Sequence, residues 1–206
     1  MSVQAKITSR IQRMKRGVPF SIAVFYELGS VTSVQKAFSR LSKEGVIERA
    51  SKGFYVRPKP LANIPSVKVT TSAEQVARAW ARKNNHKLVS QGLEAAYRIG
   101  FQTQAPMKKI FWTSGPTRKF KMGNEVVEAR HITPSKLNWG EKPEGLLLRS
   151  MNVTSPESVG VSGLKTAFSR LSLSPIEVRV VVNKLRNSKL PSEWEHTLTH
   201  YEEAMA

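Results

Sequence analysis

The stretch from Thr32 to Val56 constrains the fold more than any other. Thr32-x-x-Gln35 fits a capping box, in which two side chains satisfy the free backbone N–H groups at a helix start. Val34, Ala37, Phe38 and Leu41 follow at i, i+3, i+4 and i+7, which is one buried face of an α-helix. Gly45 supplies the left-handed residue that ends such a helix, and Val46 is placed to fold back on Leu41. Two β-rich runs come next, Val46–Ala50 and Phe54–Val56, around a Ser51-Lys52-Gly53 turn. That is a hairpin signal. A helix that stops on glycine and runs straight into a hairpin leaves few architectures open.

The preceding residues narrow them further. Val3, Ile7, Ile11 and Met14 make a single amphipathic stripe over residues 3–16, ended by Gly17. Val18-Pro19-Phe20 is short and extended. Ser21 suits an N-cap, and Phe20 and Phe25 stand in the hydrophobic-staple arrangement, so a short helix is expected up to Gly29. Gly29-Ser30 supplies the turn into the next helix. Helix, helix, helix, hairpin is the order of a winged helix-turn-helix. At about 100° per residue, the face opposite the apolar stripe of 32–45 holds Thr32, Lys36, Ser39 and Lys43. Ser33, Gln35 and Arg40 flank it. This face has no acid and no bulky apolar group. Hydrogen-bonding side chains interleaved with cations are what a helix in a major groove needs. Ser51 and Lys52 would sit at the tip of the wing, where a cation reaches backbone phosphate.

Charge points the same way. The 206 residues carry 33 Lys and Arg against 15 acids, a formal net charge of +18. Residues 1–60 hold 12 cations and 3 Glu, 61–135 hold 12 and 4, and 136–206 hold 9 and 8. The excess therefore lies in the first two thirds and implies a polyanionic partner. All the acids are Glu and there is no Cys. That argues against thiol chemistry, cysteine-held metals and the Asp-based two-metal transfer of phosphoryl groups. Forty per cent hydrophobic residues suffice for a core. No signal-peptide pattern and no apolar run of about 18 residues stands in the chain, so a cytoplasmic protein without a membrane span is expected.

Pro58, Pro60 and Pro65 forbid a helix and suggest a semi-rigid linker. The expected organisation is a winged helix-turn-helix over 1–57, a linker over 58–71 and a mixed α/β domain over 72–206. The fold class is α+β, with a small sheet and a helical C-terminal segment. Ser72-x-x-Gln75 opens a helix over about 73–84, and 92–99 reads as another, closed by Gly100. Strands are expected at 107–113, 118–122 and 125–131, and helices at about 156–172, 174–187 and 191–204. Lys108, Lys109, Arg118, Lys119, Lys121 and Arg130 mark the sheet. Alternation puts Phe120 and Met122 inside and Lys119 and Lys121 outside. Two readings of these cations stay open: contacts to a nucleic-acid backbone, or edge-strand lysines that prevent aggregation.

Catalytic patterns do not assemble. His196-x-x-x-His200 places two imidazoles on one helical face, but Thr197 stands where a zinc-peptidase helix needs Glu. Two His also leave a catalytic zinc site one ligand short. Gly160-Val161-Ser162-Gly163 lacks the strand–helix context of a phosphate loop. Ala167–Ser172 repeats the sequence of Ala37–Ser42, but no glycine-bounded wing follows it, and reuse of an amphipathic helix is the simpler reading. No enzyme activity, metal or cofactor is expected.

The run Val34–Arg49, with Lys52-Gly53-Phe54-Tyr55 and Pro58, resembles the winged helix of AbiEi-type antitoxin regulators, with Phe38 where Leu is usual. Ala73–Lys83, Gly92-x-x-Ala95-Ala96 and Gly100-Phe101-x-Thr103-Gln104-x-Pro106 are similar to the core of the same broad branch, followed by the strand Ile110–Gly115. The resemblance covers roughly residues 20–135. It implies an N-terminal domain that binds double-stranded DNA at its own promoter and represses it. It also implies a C-terminal domain that counteracts a toxin, often a nucleotidyltransferase-like protein. Antitoxicity in that family has no short residue signature. The alternatives are a regulator without a toxin partner, and an RNA-binding or ligand-sensing protein that uses the basic C-terminal domain.

Overall fold

Ser2 caps the first helix, α1 (Val3–Arg13), by accepting from Ala5 N at 3.2 Å. The coordinates come from a computed structural model that describes residues 2–60, 68–69 and 71–204. The architecture is mixed α/β with small sheets, as the α+β class requires. The chain divides into two compact units, Met1–His86 with Arg118–Val127, and Lys87–Thr117 with Glu128–Ala206.

In the first unit, α1 is followed by β1 (Pro19–Ser21), a 3-10 helix (Ile22–Leu28), α2 (Val31–Lys43), β2 (Glu48–Ser51) and β3 (Phe54–Val56). The three strands form an antiparallel sheet in the order β1-β3-β2. Pro19 pairs with Val56 and Glu48 with the same residue on the other side, and the register slips between Arg49 and Ser51. Phe38 sits at the centre of the core. Its ring meets Phe25 at 5.1 Å, Tyr55 at 4.9 Å and Phe20 at 6.3 Å, all edge-on. Ile7 and Ile11 from α1, Val34, Ala37 and Leu41 from α2, and Ile22 and Ile47 complete the buried cluster.

Two details of this unit differ from expectation. The cap of α2 is Ser30, two residues before Thr32: its hydroxyl accepts from Ser33 N at 3.2 Å. Gly29 precedes an extended Ser30, so the helix begins two residues earlier than the Thr32-x-x-Gln35 pattern places it. The segment after Ser21 is a 3-10 helix of seven residues, longer than the roughly three to four residues usual for that helix type. At its far end α2 closes as its sequence requires, with Gly45 at φ 68° and Val46 N bonded to Leu41 O at 3.0 Å.

Beyond the hairpin, Arg57 Nη1 donates to Gln12 O at 2.6 Å and Arg16 to Pro58 O at 3.0 Å, which ties the start of the proline segment to α1. Lys59–Pro60 (β4) pairs antiparallel with Lys68–Val69 (β5). The rest of the expected linker, 61–67 with Pro65, and residue 70 lie outside the described residues. Helix α3 (Ala73–Lys83) carries the full capping box of Ser72 and Gln75 and packs against β1. Strand β8 (Arg118–Met122) also packs on α3, through Trp80 and Phe120 at 5.4 Å. Residues 72–86 and 118–127 thus cluster with the N-terminal segment, not with the chain that follows them.

The second unit holds β6 (Leu88–Ser90), α4 (Gly92–Ile99) and β7 (Lys109–Thr113), with β6 and β7 antiparallel. Strand β9 (Glu125–His131) enters it from the first unit. A 3-10 turn (Pro134–Leu137) and four helices follow: α5 (Pro143–Met151), α6 (Pro156–Arg170), α7 (Pro175–Arg186) and α8 (Trp194–Glu203). Helix α6 bends at Gly160, whose φ of 60° and ψ of −175° are not helical. Trp194 is fully buried, stacks on Phe101 at 5.5 Å and donates from Nε1 to Met151 O at 2.9 Å. Helices α4 and α5 approach closely at Gly92, where a Cβ would lie 2.7 Å from Val153 and 2.8 Å from Arg149 O. The expectations for 107–131 and 156–204 miss β6 and α5. β6 is only three residues long, and α5 is buried on nearly all sides, so it shows no amphipathic period.

Candidate nucleic-acid interface

Helix α2 buries Val34, Ala37, Phe38 and Leu41, and that packing turns Thr32, Gln35, Lys36, Ser39, Arg40 and Lys43 outward, all exposed. The side chains of Thr32, Gln35, Lys36, Ser39 and Lys43 make no hydrogen bond or ion pair among the described residues. Ser33 and Arg40 are different. The Ser33 hydroxyl lies 2.9 Å from Ser30 Oγ and belongs to the cap. Arg40 Nη1 donates to Gln4 Oε1 at 3.1 Å, so α1 holds its guanidinium. The α2 face thus offers five unengaged polar or cationic groups beside one tethered arginine.

The hairpin turn carries Lys52, exposed and unpartnered among the described residues, next to Gly53 at φ 79°. Ser51 is half-buried because Arg118 reaches it: Arg118 Nη2 donates to Ser51 Oγ at 3.4 Å. The same guanidinium lies over Phe120 at 5.3 Å and Trp80 at 5.9 Å. Arg118 is therefore a brace between β8 and the hairpin. Lys119 and Lys121 alternate with buried Phe120 and stand exposed. The five basic candidates of the expected C-terminal domain split between the units. Arg118, Lys119 and Lys121 lie with the hairpin in the first, and Lys108 and Lys109 belong to the second. Lys108 precedes β7 and is exposed, and Lys109 is half-buried at the start of that strand. Arg130 is paired with Glu128 at 3.0 Å.

Electrostatics separate the two units. The first carries 19 Lys and Arg against 5 Glu, the second 14 against 10. A protein surface that neutralises phosphates needs such an excess.

Sequence reasoning did not find Ser30, Gln4 or Trp80. The spacing Ser30-x-x-Ser33 after a glycine carried the signal for the first. The hold of Gln4 on Arg40 spans 36 residues, and the Trp80–Arg118 contact joins segments equally remote in sequence, so no local pattern marks either.

The second unit holds polar clusters of its own. His196 and His200 bring their Nε2 atoms to 3.1 Å, and His200 Nδ1 lies 3.5 Å from Glu203. No group of three or more metal-ligating side chains occurs among the described residues. Glu141 accepts from Ser90 N and from Arg98, with Arg149 at 3.8 Å. Burial works against the Glu141 carboxylate, but the Ser90 N–H and the two guanidiniums outweigh it and hold its pKa below the ordinary value. Burial lowers Arg149 to about 10 despite Glu141. Ala167 and Phe168 of the repeated hexapeptide are core residues of α6, and Arg170 donates to Tyr97 O at 3.3 Å. Among the described residues no helix is long and apolar enough to cross a membrane.

Comparison with known proteins yields a family of unknown function, DUF6088, whose pattern matches residues 6–166. No curated protein matches the chain. Among solved structures, the crystal structure of the RV2827C protein from Mycobacterium tuberculosis is similar with a TM-score of 0.48 and 16% identity, over 97% of this chain and 76% of that one.

Proposed function

We propose that this chain, which belongs to the DUF6088 family, is a sequence-specific DNA-binding autorepressor that also serves as the antitoxin of a toxin–antitoxin pair. On this reading the first unit is a winged helix-turn-helix. Its support is the element order α1, β1, 3-10 helix, α2, β2, β3 with the sheet order β1-β3-β2. The observation that carries the reading is the exposed face of α2, where Thr32, Gln35, Lys36, Ser39 and Lys43 stand unengaged among the described residues and no acid interrupts them.

The mechanism has two parts. Helix α2 enters a major groove with Thr32, Gln35, Lys36 and Ser39 toward base edges and phosphates, and Arg40 joins them once it leaves Gln4. Lys43, Lys52, Lys119 and Lys121 bind backbone phosphates, and Arg118 holds the hairpin that presents Lys52. The protein acts by binding in the cytoplasm and not by catalysis. The antitoxin role rests on the AbiEi resemblance of the sequence, which makes a nucleotidyltransferase-like protein the partner to test.

Fluorescence anisotropy against duplexes from the gene's own upstream region and a shuffled control, over a salt series, tests the first part. A preference of roughly 10³-fold or more for the native sequence is expected of an operator reader. Equal binding to both duplexes that collapses with salt would reduce the surface to a generic polyanion site and sink the repressor reading. Co-expression with a toxic neighbouring gene tests the second part. Unrelieved toxicity would leave a regulator without a toxin partner.

A further inference from the structure

Helices α6, α7 and α8 of the second unit enclose a half-open cleft of about 760 Å³. Its apolar lining comes from Phe168, Leu173, Val178 and Tyr201, with the Phe168 and Tyr201 rings edge-to-face at 4.9 Å. Four polar side chains also line it: Lys165 and Ser169 from α6, and Arg179 and Asn183 from α7. None of the four makes a side-chain hydrogen bond or ion pair among the described residues. Their neighbours on the same helices are engaged. Thr166 donates to Ser162 O at 3.0 Å, Glu177 closes the capping box of α7, and Lys184 is paired with Glu144.

Charge is unbalanced here in one direction. Among the described residues the cleft has one acid, Glu202, and Arg186 already holds it at 2.8 Å, which leaves Lys165 and Arg179 with no carboxylate there. A volume between about 300 and 1,000 Å³, a mostly apolar lining and a few converging polar groups describe a small-molecule site. The floor needs an apolar body. The two cations need an anion, and Ser169 and Asn183 offer hydrogen bonds to it.

We propose that this cleft binds a small molecule with an apolar body and one anionic group, a carboxylate or its equivalent. The site goes beyond the DNA-binding reading and does not depend on it. It belongs to the less basic unit, and the surface assigned to nucleic acid belongs to the other.

The test uses the full chain and two matched probes, octanoate and 1-octanol, competing against the fluorescent sulfonate 8-anilinonaphthalene-1-sulfonate. Saturable one-to-one binding is expected, with octanoate displacing the dye at roughly tenfold lower concentration than octanol, since a hydrogen-bonded charge adds about that much. The double variant Lys165→Ala/Arg179→Ala should weaken octanoate to the level of octanol and leave octanol unchanged. Ser169→Trp, at an exposed position, should fill the cleft and abolish both while circular dichroism stays native. Equal displacement by the two probes would overturn the anionic assignment. Dye binding that survives Ser169→Trp would place the dye elsewhere and overturn the site. If neither probe binds, the proposal fails, and a dimer in light scattering that Ser169→Trp dissolves would then show that the cleft takes a second copy of the chain.

Discussion

Arg118 donates to Ser51 Oγ at 3.4 Å while its guanidinium lies over Phe120 and Trp80. A residue that reads from sequence as one more surface cation is thereby a strut under the hairpin. Its planar fork can bond and stack at once, which an ammonium cannot do. Arg118→Ala should lower unfolding stability by about 1 kcal/mol through the lost ring contacts and weaken DNA binding through a loosened hairpin. Arg118→Lys should keep the charge and still lose most of both. Lys119→Ala should leave stability unchanged. Chemical denaturation and anisotropy on the three variants decide it. Full recovery by Arg118→Lys would mean that only charge matters there.

Ser30, not Thr32, caps α2. Ser30→Ala should cost about 1 kcal/mol of stability, the usual worth of a Ser cap. Thr32→Ala should cost almost nothing in stability, because the Thr32 side chain makes no hydrogen bond among the described residues, yet it should weaken operator binding. The pair separates folding from reading on two residues in the same turn. Equal stability losses would return the cap to Thr32.

What could be read in the sequence follows the range of the interactions. Capping of α3 by Ser72 and Gln75, the glycine stop after Leu41 and the alternation around Phe120 are set by residues a few positions apart, and all were readable. The α2 face was readable for the same reason, since burial of one stripe dictates what the other side shows. The grouping of Arg118 with the hairpin was not readable. It depends on Trp80 packing on Phe120 across 40 residues, and the proline segment between the elements reads as a domain boundary. The cleft of the second unit was hidden likewise, because Phe168 and Tyr201 meet only in the folded helices.

Lys36 is exposed on α2 and unpaired among the described residues, and Arg40 is exposed but held by Gln4. These states predict different behaviour on DNA. Lys36→Ala should weaken binding to all sequences and reduce the salt slope by about one if it meets phosphate. Arg40→Ala should cost about 1–3 kcal/mol on the operator and blur its preference if Arg40 reads a base. Gln4→Ala should then tighten operator binding slightly, because the guanidinium no longer has to leave a partner. If Gln4→Ala weakens binding instead, the tether positions Arg40 and does not restrain it.

Glu141 predicts a pH dependence of the second unit. Its carboxylate takes the Ser90 N–H and faces Arg98 and Arg149, and its pKa lies below the ordinary 4.5. A carboxyl lowered on folding stabilises the folded state at pH values above its unfolded pKa, and that contribution is lost as pH falls through the folded value. Wild-type stability should therefore drop on acidification below about pH 4.5, as Glu144 and Glu177, lowered by Lys184 and by Ser174, add to the effect. Glu141→Gln removes the carboxylate that compensates Arg149, which is only 5% exposed, and should cost about 2–4 kcal/mol at pH 7. The gap between wild type and Glu141→Gln should narrow as pH falls from 5 toward 3. Guanidinium unfolding at pH 7 and across that acid range measures it, and a gap of constant size would show that Glu141 contributes shape and not charge.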